Sequence, residues 1–279
     1  RTMSISAKDV KELREQTGAG MMDCKKALQE ADGDFEKATE ILRKKGQQLS
    51  EKRSDREANQ GLIVTRVSDD GSKAAALEIN CETDFVARND DFQDRTQQFL
   101  DIVFDNEIDS VDELLETEHD GLSIADHVKD MVGKIGEKIK INRVLYAETD
   151  GFFISYIHPG NQLGVLVEFE GEVEDPEIGK DVAMQIAAMN PLAVTRDGVD
   201  SSIVEKELEI AKDQLLEEGK SEEIAEKASQ GKLRRFYEER VLLEQKFVKD
   251  NSLSVEEYLE NNDTPLVKSF HRLQLGDDS

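Results

Sequence analysis

From Gln47 to Gln60 the chain runs fourteen residues with Leu49 as its single large apolar side chain, every other position being charged, an amide or small. Such a stretch cannot bury a face, so it reads as a linker or a solvated helix and marks a boundary. The two sides of that boundary differ electrically. Residues 1–60 hold 13 basic and 12 acidic side chains, net +1, which leaves 23 and 50, net −27, for the rest of the 279 residues. A chain of this length suggests two domains, or one with appendages. With 37% hydrophobic residues the cores should be small and several.

Upstream of the boundary the pattern is helical. Ser6 caps a helix beginning at Ala7, with Asp9 three positions on and Ile5 and Val10 spaced as a hydrophobic staple. Thr17-Gly18-Ala19-Gly20 ends it, because two glycines can take positive φ and reverse the chain. A second helix is predicted over 22–30. After Asp32-Gly33, Asp34 caps a third, whose Phe35, Ala38, Ile41 and Leu42 make a buried stripe up to Gly46. Three short helices in this space make a minimal bundle.

Downstream, 62–67 and 74–79 read as strands joined at Asp69-Asp70-Gly71-Ser72. Helices are expected over 92–104, 111–115 and 124–135. Three runs, 139–147, 152–157 and 163–169, read as a meander turning at Asp150-Gly151 and Pro159-Gly160. A helix over 182–189 is stopped by Asn190-Pro191. Val204, Leu208, Ala211 and Leu215 then recur at heptad spacing, Gly219-Lys220 breaks the run, and Ser221 caps a returning helix with Ile224 and Ala228 as its stripe. This predicts an antiparallel hairpin with its own seam. Segments 233–248 and 255–259 look helical, and 266–275 is placed to close a sheet.

A net charge of −26 disfavours nucleic-acid binding, which depends on Lys and Arg displacing counterions from phosphates. The acidity itself reads as a solubility or salt-adaptation trait. Cys24 and Cys81 form no C-x-x-C pair, and His119, His127, His158 and His271 show no ligand spacing, so no metal site is expected. No apolar run approaches the ~18 residues of a membrane helix, and Arg1 to Lys11 lack the apolar stretch of a signal peptide. A soluble protein of a reducing cytoplasm fits. Gly18-Ala19-Gly20 before Lys25 lacks phosphate-loop spacing and a preceding strand. No nucleophile elbow, kinase signature or dinucleotide fingerprint occurs.

Two segments stand out physically. Met21 and Met22 follow the glycine turn on a bundle too small to bury everything, where flexible thioethers either meet a partner or fill the core. Phe85 sits beside Asp84 in a stretch too polar for a core, either as an exposed wedge or facing inward.

Leu13-Arg14, Thr17-Gly18-Ala19-Gly20-Met21-Met22-Asp23-Cys24-Lys25-Lys26-Ala27-Leu28 and Asn80-Cys81-Glu82-Thr83-Asp84-Phe85-Val86-Ala87-Arg88 closely resemble the two signatures of the bacterial translation elongation factor Ts family. Lys134-Ile135-Gly136-Glu137, Tyr156 with His158, Ile224-Ala225-Glu226-Lys227 and Gln245 with Phe247-Val248 are also similar, in order along nearly the whole chain. Arg1-Thr2 precede a start at Met3 and match nothing in the family.

The resemblance implies an α+β fold: a ubiquitin-associated-like three-helix head with the start of a linker (1–52), a core lobe (53–146), and a second lobe (147–279) carrying a coiled-coil insertion at about 201–233, with antiparallel sheets in the core. It implies a guanine-nucleotide exchange factor for the GTPase elongation factor Tu in its GDP-bound and nucleotide-free forms. No catalytic residue, metal, cofactor, membrane or direct nucleic-acid contact is called for. Lys11, Arg14, Met21, Met22 and Lys25 match the docking face of the head. Thr83, Asp84, Phe85 and Val86 match an element that disturbs the partner's magnesium site, Asp84 and Phe85 pushing between helices of the GTPase domain. Ile135, Gly136 and His158 match further partner contacts. Two rivals differ in class. A ubiquitin-associated-like adaptor without exchange activity would not need Asp84 and Phe85, and a carboxylate hydrolase needs an acid and base pair that no pattern singles out.

Overall fold

The structure is a computed structural model describing residues 5–277. Arg1, Thr2 and Met3, where the sequence suggested a start, lie outside the described residues. Contacts group the chain into two units. One holds the chain up to Val64, Ala75–Tyr146 and the tail from Leu275, and the other Thr65–Ala74 and Ala147–Gln274.

The first unit opens with helices α1 (Ala7–Thr17), α2 (Met21–Glu30) and α3 (Phe35–Arg53). Ser6 and Asp9 close a reciprocal capping box, with bonds of 3.1 and 3.0 Å. Gly18 ends α1 at φ 68, a left-handed cap that its missing Cβ permits. Val10, Leu13, Cys24, Ala27, Leu28 and Ala38 form the small core of this head.

The third helix was expected to stop at Gly46, yet it continues to Arg53 through the charged stretch. The reason is a neighbour that the sequence pattern does not display. Gly46 is buried where α3 crosses α7 (Ile124–Ile135), and a Cβ added to Gly133 would lie 2.8 Å from the Gly46 Cα. Two glycines facing each other let the helix backbones approach, and beyond them Leu49 packs on the core of the lobe while Gln47, Gln48, Glu51 and Lys52 stay exposed, so 47–53 is the solvated helix of the two readings.

Strands β1 (Gln60–Val67) and β2 (Lys73–Cys81) follow, then α4 (Asp84–Ala87), α5 (Asp90–Asp105), α6 (Val111–Glu116), the two-residue strands β3 (Glu118–His119) and β4 (Leu122–Ser123), α7, and β5 (Ile139–Glu148). The sheet order is β1-β2-β5. Hence β5 is no part of a meander with the next two runs, as the spacing had suggested. It flanks β2, and the core of the lobe forms where Leu77 and Ile79 of β2 meet Phe92, Phe99 and Leu100 of α5 and Val132 of α7.

The second unit repeats this plan. A hairpin of β6 (Phe152–Ile157) and β7 (Leu163–Phe169) leads to α8 (Pro176–Met189), and the chain later returns as β10 (Val267–Gln274) in an antiparallel sheet ordered β10-β7-β6. Gly61, Glu78 and Ile79 have counterparts ninety positions on in Gly151, Glu168 and Phe169. A Cβ at Gly61 would lie 2.1 Å from the Ile79 carbonyl oxygen, and one at Gly151 would lie 1.9 Å from that of Phe169. Each hairpin therefore demands glycine where its first strand begins. Glu78 and Glu168 are both buried in middle strands and both are satisfied, the first by Arg143 and Asn80, the second by Thr149, Lys268 and Ser269.

Between α8 and β10 lie α9 (Ser201–Glu217), α10 (Glu222–Arg240), β8 (Lys246–Phe247), β9 (Asp250–Ser254) and α11 (Val255–Asn261). Helices α9 and α10 pack antiparallel, Lys212 pairing with Glu226 at 2.9 Å. Their seam differs from the expected stripe by one residue. Ala225 and Ser229 are buried, as are Ala211 and Leu215 of α9, while Ile224 is exposed; small side chains on a seam let two helices close. Nor does a separate helix span 233–248: α10 runs on to Arg240, then a single 3-10 turn and β8 follow.

Candidate functional site

Strand β2 is buried along nearly its whole length and ends at Cys81. The chain then turns into α4, a helix of only four residues. Thr83 caps it, its Oγ1 accepting from Val86 N–H at 3.4 Å, and Asp84 pairs with Arg88 one turn on at 3.1 Å. Ala87 faces the core and Val86 is half-buried, which leaves Phe85 directed outward. It is 82% exposed. An aromatic ring so placed forgoes roughly 1.5–3 kcal/mol of burial that a partner could recover.

The segment is held from behind by two carboxylates. Glu137 accepts from the backbone N–H of Thr83 at 3.0 Å and from its hydroxyl at 2.7 Å. Glu82 accepts from Arg53 at 2.8 Å, from Arg56 at 3.1 Å and from the Lys138 N–H at 2.6 Å. Partial burial would raise the pKa of Glu82, but these three bonds outweigh it and hold the carboxyl at about 2. The Cys81 thiol donates to the Thr83 carbonyl at 3.2 Å. Burial, with the Glu137 charge adding to it, pushes that thiol up to about 12, so it stays protonated.

In front of this segment lies a groove of about 610 Å³. Its walls include Phe85, Val86, Met131 and Ile135, with Gly18 of the head at one side and Arg95, Lys134, Asp91 and Asp94 supplying balanced charge. Gly136 caps α7 at φ 79, with open space where a Cβ would be. The groove thus brings Phe85 and Val86 together with Ile135. Met21 and Met22 begin α2 and are exposed at 55% and 62%, but they do not line the groove, and neither do Lys11, Arg14 and Lys25, which are exposed on the head. Lys11 is paired with Glu15 at 3.6 Å. His158 belongs to the second unit, exposed after β6, where its Nδ1 lies 3.0 Å from the Tyr156 hydroxyl.

A second cavity, of about 310 Å³, lies between the head and α7, with Asp23 and Lys45 paired on its wall. His127 is buried, a ring nitrogen 2.8 Å from the His119 carbonyl. Among the described residues no group of three or more His, Cys, Asp and Glu could hold a metal ion, and no helix is long and apolar enough to cross a membrane.

Glu82 and Glu137 were given no role by the sequence reading. Their partners lie 29 and 54 residues away, so no local spacing announces them.

Comparison with known proteins covers the same segments. The sequence model of a family described as Elongation factor TS matches residues 82–277. An elongation factor Ts of Christiangramia forsetii is 46% identical over 274 residues, covering 98% of this chain and 99% of that protein. Those of Prosthecochloris aestuarii and Amoebophilus asiaticus are each 45% identical, covering 98% of this chain and 99% and 100% of theirs. With similarity spanning both units and including the Thr83–Val86 turn, the chain belongs to the elongation factor Ts family, whose role is in translation elongation.

Proposed function

We propose that the protein promotes release of GDP from elongation factor Tu and acts without a catalytic residue, metal or cofactor of its own. The observation that carries this is Phe85, an apolar ring exposed on a short, externally braced helix beside Asp84. A GTPase holds GDP through phosphate-binding backbone amides and Mg²⁺. A protein that fits the opened, metal-poor state better than the closed one lowers the cost of opening without making or breaking a covalent bond. Burial of one aromatic side chain is worth about one to two powers of ten in that equilibrium, provided the ring fits only the open state.

In this proposal Thr83 to Val86 disturb the magnesium site, while Ile135 and Gly136 contact the same domain. The head docks as a ubiquitin-associated-like module through Lys11, Arg14, Met21, Met22 and Lys25. His158 makes a further contact, and the α9–α10 pair serves as a coiled-coil arm. The GDP-bound and nucleotide-free partner are both engaged, in the cytoplasm, without nucleic acid or membrane.

The test is stopped-flow release of a fluorescent GDP analogue from elongation factor Tu. Wild-type protein should accelerate release, and Phe85→Ala should slow the accelerated rate at least tenfold with an unchanged unfolding temperature, because the ring packs on little of its own chain. Equal rates for wild type and variant would refute the wedge, and absence of any acceleration would refute exchange itself.

A further inference from the structure

We propose that Glu137 is a positioning residue of the exchange element: by engaging both donors of Thr83 it fixes where α4 starts and therefore where Phe85 points. The inference rests on the function proposed above and adds a residue to which that proposal gives no role.

A four-residue helix cannot hold itself, since nucleating a turn fixes several dihedrals for one hydrogen bond. Its start must be set from outside. The cap from Thr83 Oγ1 to Val86 N–H is long at 3.4 Å, whereas the two bonds to Glu137 are 3.0 and 2.7 Å. The hydroxyl has one hydrogen. Once that hydrogen is given to Glu137, a lone pair is left facing Val86 N–H, so the carboxylate orients the cap as well as anchoring the backbone.

The anchor is itself rigid. Glu137 directly follows Gly136, the left-handed cap of α7, and α7 buries Val128, Met131 and Val132 in the core of the lobe. Phe85 lies two residues beyond Thr83 and is too exposed to be steered by packing of its own ring. A shift of ~1 Å at such an element is enough to misplace a group that must enter a partner. Glu82, one residue before Thr83, separately ties the chain to Arg53, Arg56 and Lys138. The end of β2 is therefore held without Glu137, and what Glu137 adds is the setting of α4.

The experiment reads catalysed GDP release from elongation factor Tu, with thermal unfolding in parallel, for Glu137→Ala, Thr83→Val and Thr83→Ser, and for Glu137→Ala combined with Phe85→Ala. Glu137→Ala and Thr83→Val should each slow release about tenfold, as expected for loss of hydrogen bonds to a charged group. Thr83→Ser keeps both donors and should recover most of the rate that Thr83→Val loses. In the Phe85→Ala background, Glu137→Ala should add less than about twofold, because a positioning effect vanishes with the residue it positions. Should Glu137→Ala not fold, the Thr83 pair tests the same contact from its other side. A full tenfold loss persisting without Phe85 would overturn the proposal, since Glu137 would then act elsewhere. Phe85→Ala slowing release while Glu137→Ala and Thr83→Val do not would overturn this proposal alone. A wild-type chain that leaves release unaccelerated would overturn the function and this inference together.

Discussion

Glu82 has an ordinary pKa near 4.5 as a free side chain and about 2 here, so the sign of its pH dependence is fixed. A depressed carboxylate contributes stability that is complete above the unfolded value and is lost as pH falls through the folded one. Glu82→Gln removes the charge that Arg53 and Arg56 meet, and should cost about 2 kcal/mol at pH 7. The gap between variant and wild type should narrow below pH 4.5 and close near pH 2, as urea denaturation across that range would show. A gap that stays constant would mean the charge is irrelevant. At this scale Phe85 was legible, because an aromatic in a polar segment is an anomaly within nine residues of sequence. The carboxylates behind it were not, because in a chain with 62 acidic residues nothing marks the two that fold back onto one turn.

Helices were legible where their signals are local. The Ser6 and Asp34 caps, the Gly18 turn and the full length of α7 follow from residues within a few positions of each end. Two misplacements share one cause, a partner distant in sequence: helix α3 runs past Gly46 where Gly133 receives it, and β5 leaves its neighbours in sequence for β2. The one-residue shift of the α10 seam to Ala225 and Ser229 has no such cause, since it lies within a hairpin whose two helices the sequence already paired. The glycine crossing gives a graded prediction. Alanine gains about 0.5–1 kcal/mol over glycine inside a helix. At Gly46 the new Cβ would meet Lys129 O at 3.3 Å and Gly133 Cα at 3.4 Å, tight contacts that nearly cancel that gain. At Gly133 it would stand 2.8 Å from the Gly46 Cα, backbone that no rotamer change relieves, at a cost of about 1–3 kcal/mol. Gly46→Ala should thus be near neutral and Gly133→Ala clearly destabilising in denaturant titrations. Stabilisation by both would mean that the two helices do not cross as closely as drawn.

The charge of the whole molecule bears on how it meets its partner. The net −26 is −27 beyond residue 60 offset by +1 before it, so the head is nearly neutral, and the groove before Phe85 sets Arg95 and Lys134 against Asp91 and Asp94. Toward an acidic partner the long-range force is therefore repulsion by the body, without a compensating basic field at the groove. Raising ionic strength from ~0.01 M to ~0.15 M shortens the Debye length from about 30 Å to about 8 Å, which removes most of that repulsion. The apolar surfaces of Met21, Met22 and Phe85 are little affected by screening, so the bound state should not weaken as the encounter becomes easier. The association rate with elongation factor Tu should then rise or hold across a KCl series followed by stopped flow. The opposing possibility is steering by Lys11, Arg14 and Lys25, all exposed on the head, toward an acidic patch of the GTPase. Local steering of that kind is screened by the same salt and would make the rate fall. A steep monotonic decrease would show that three side chains on the head outweigh the charge of the body, and would move the electrostatic control of docking from the whole molecule to one helical face.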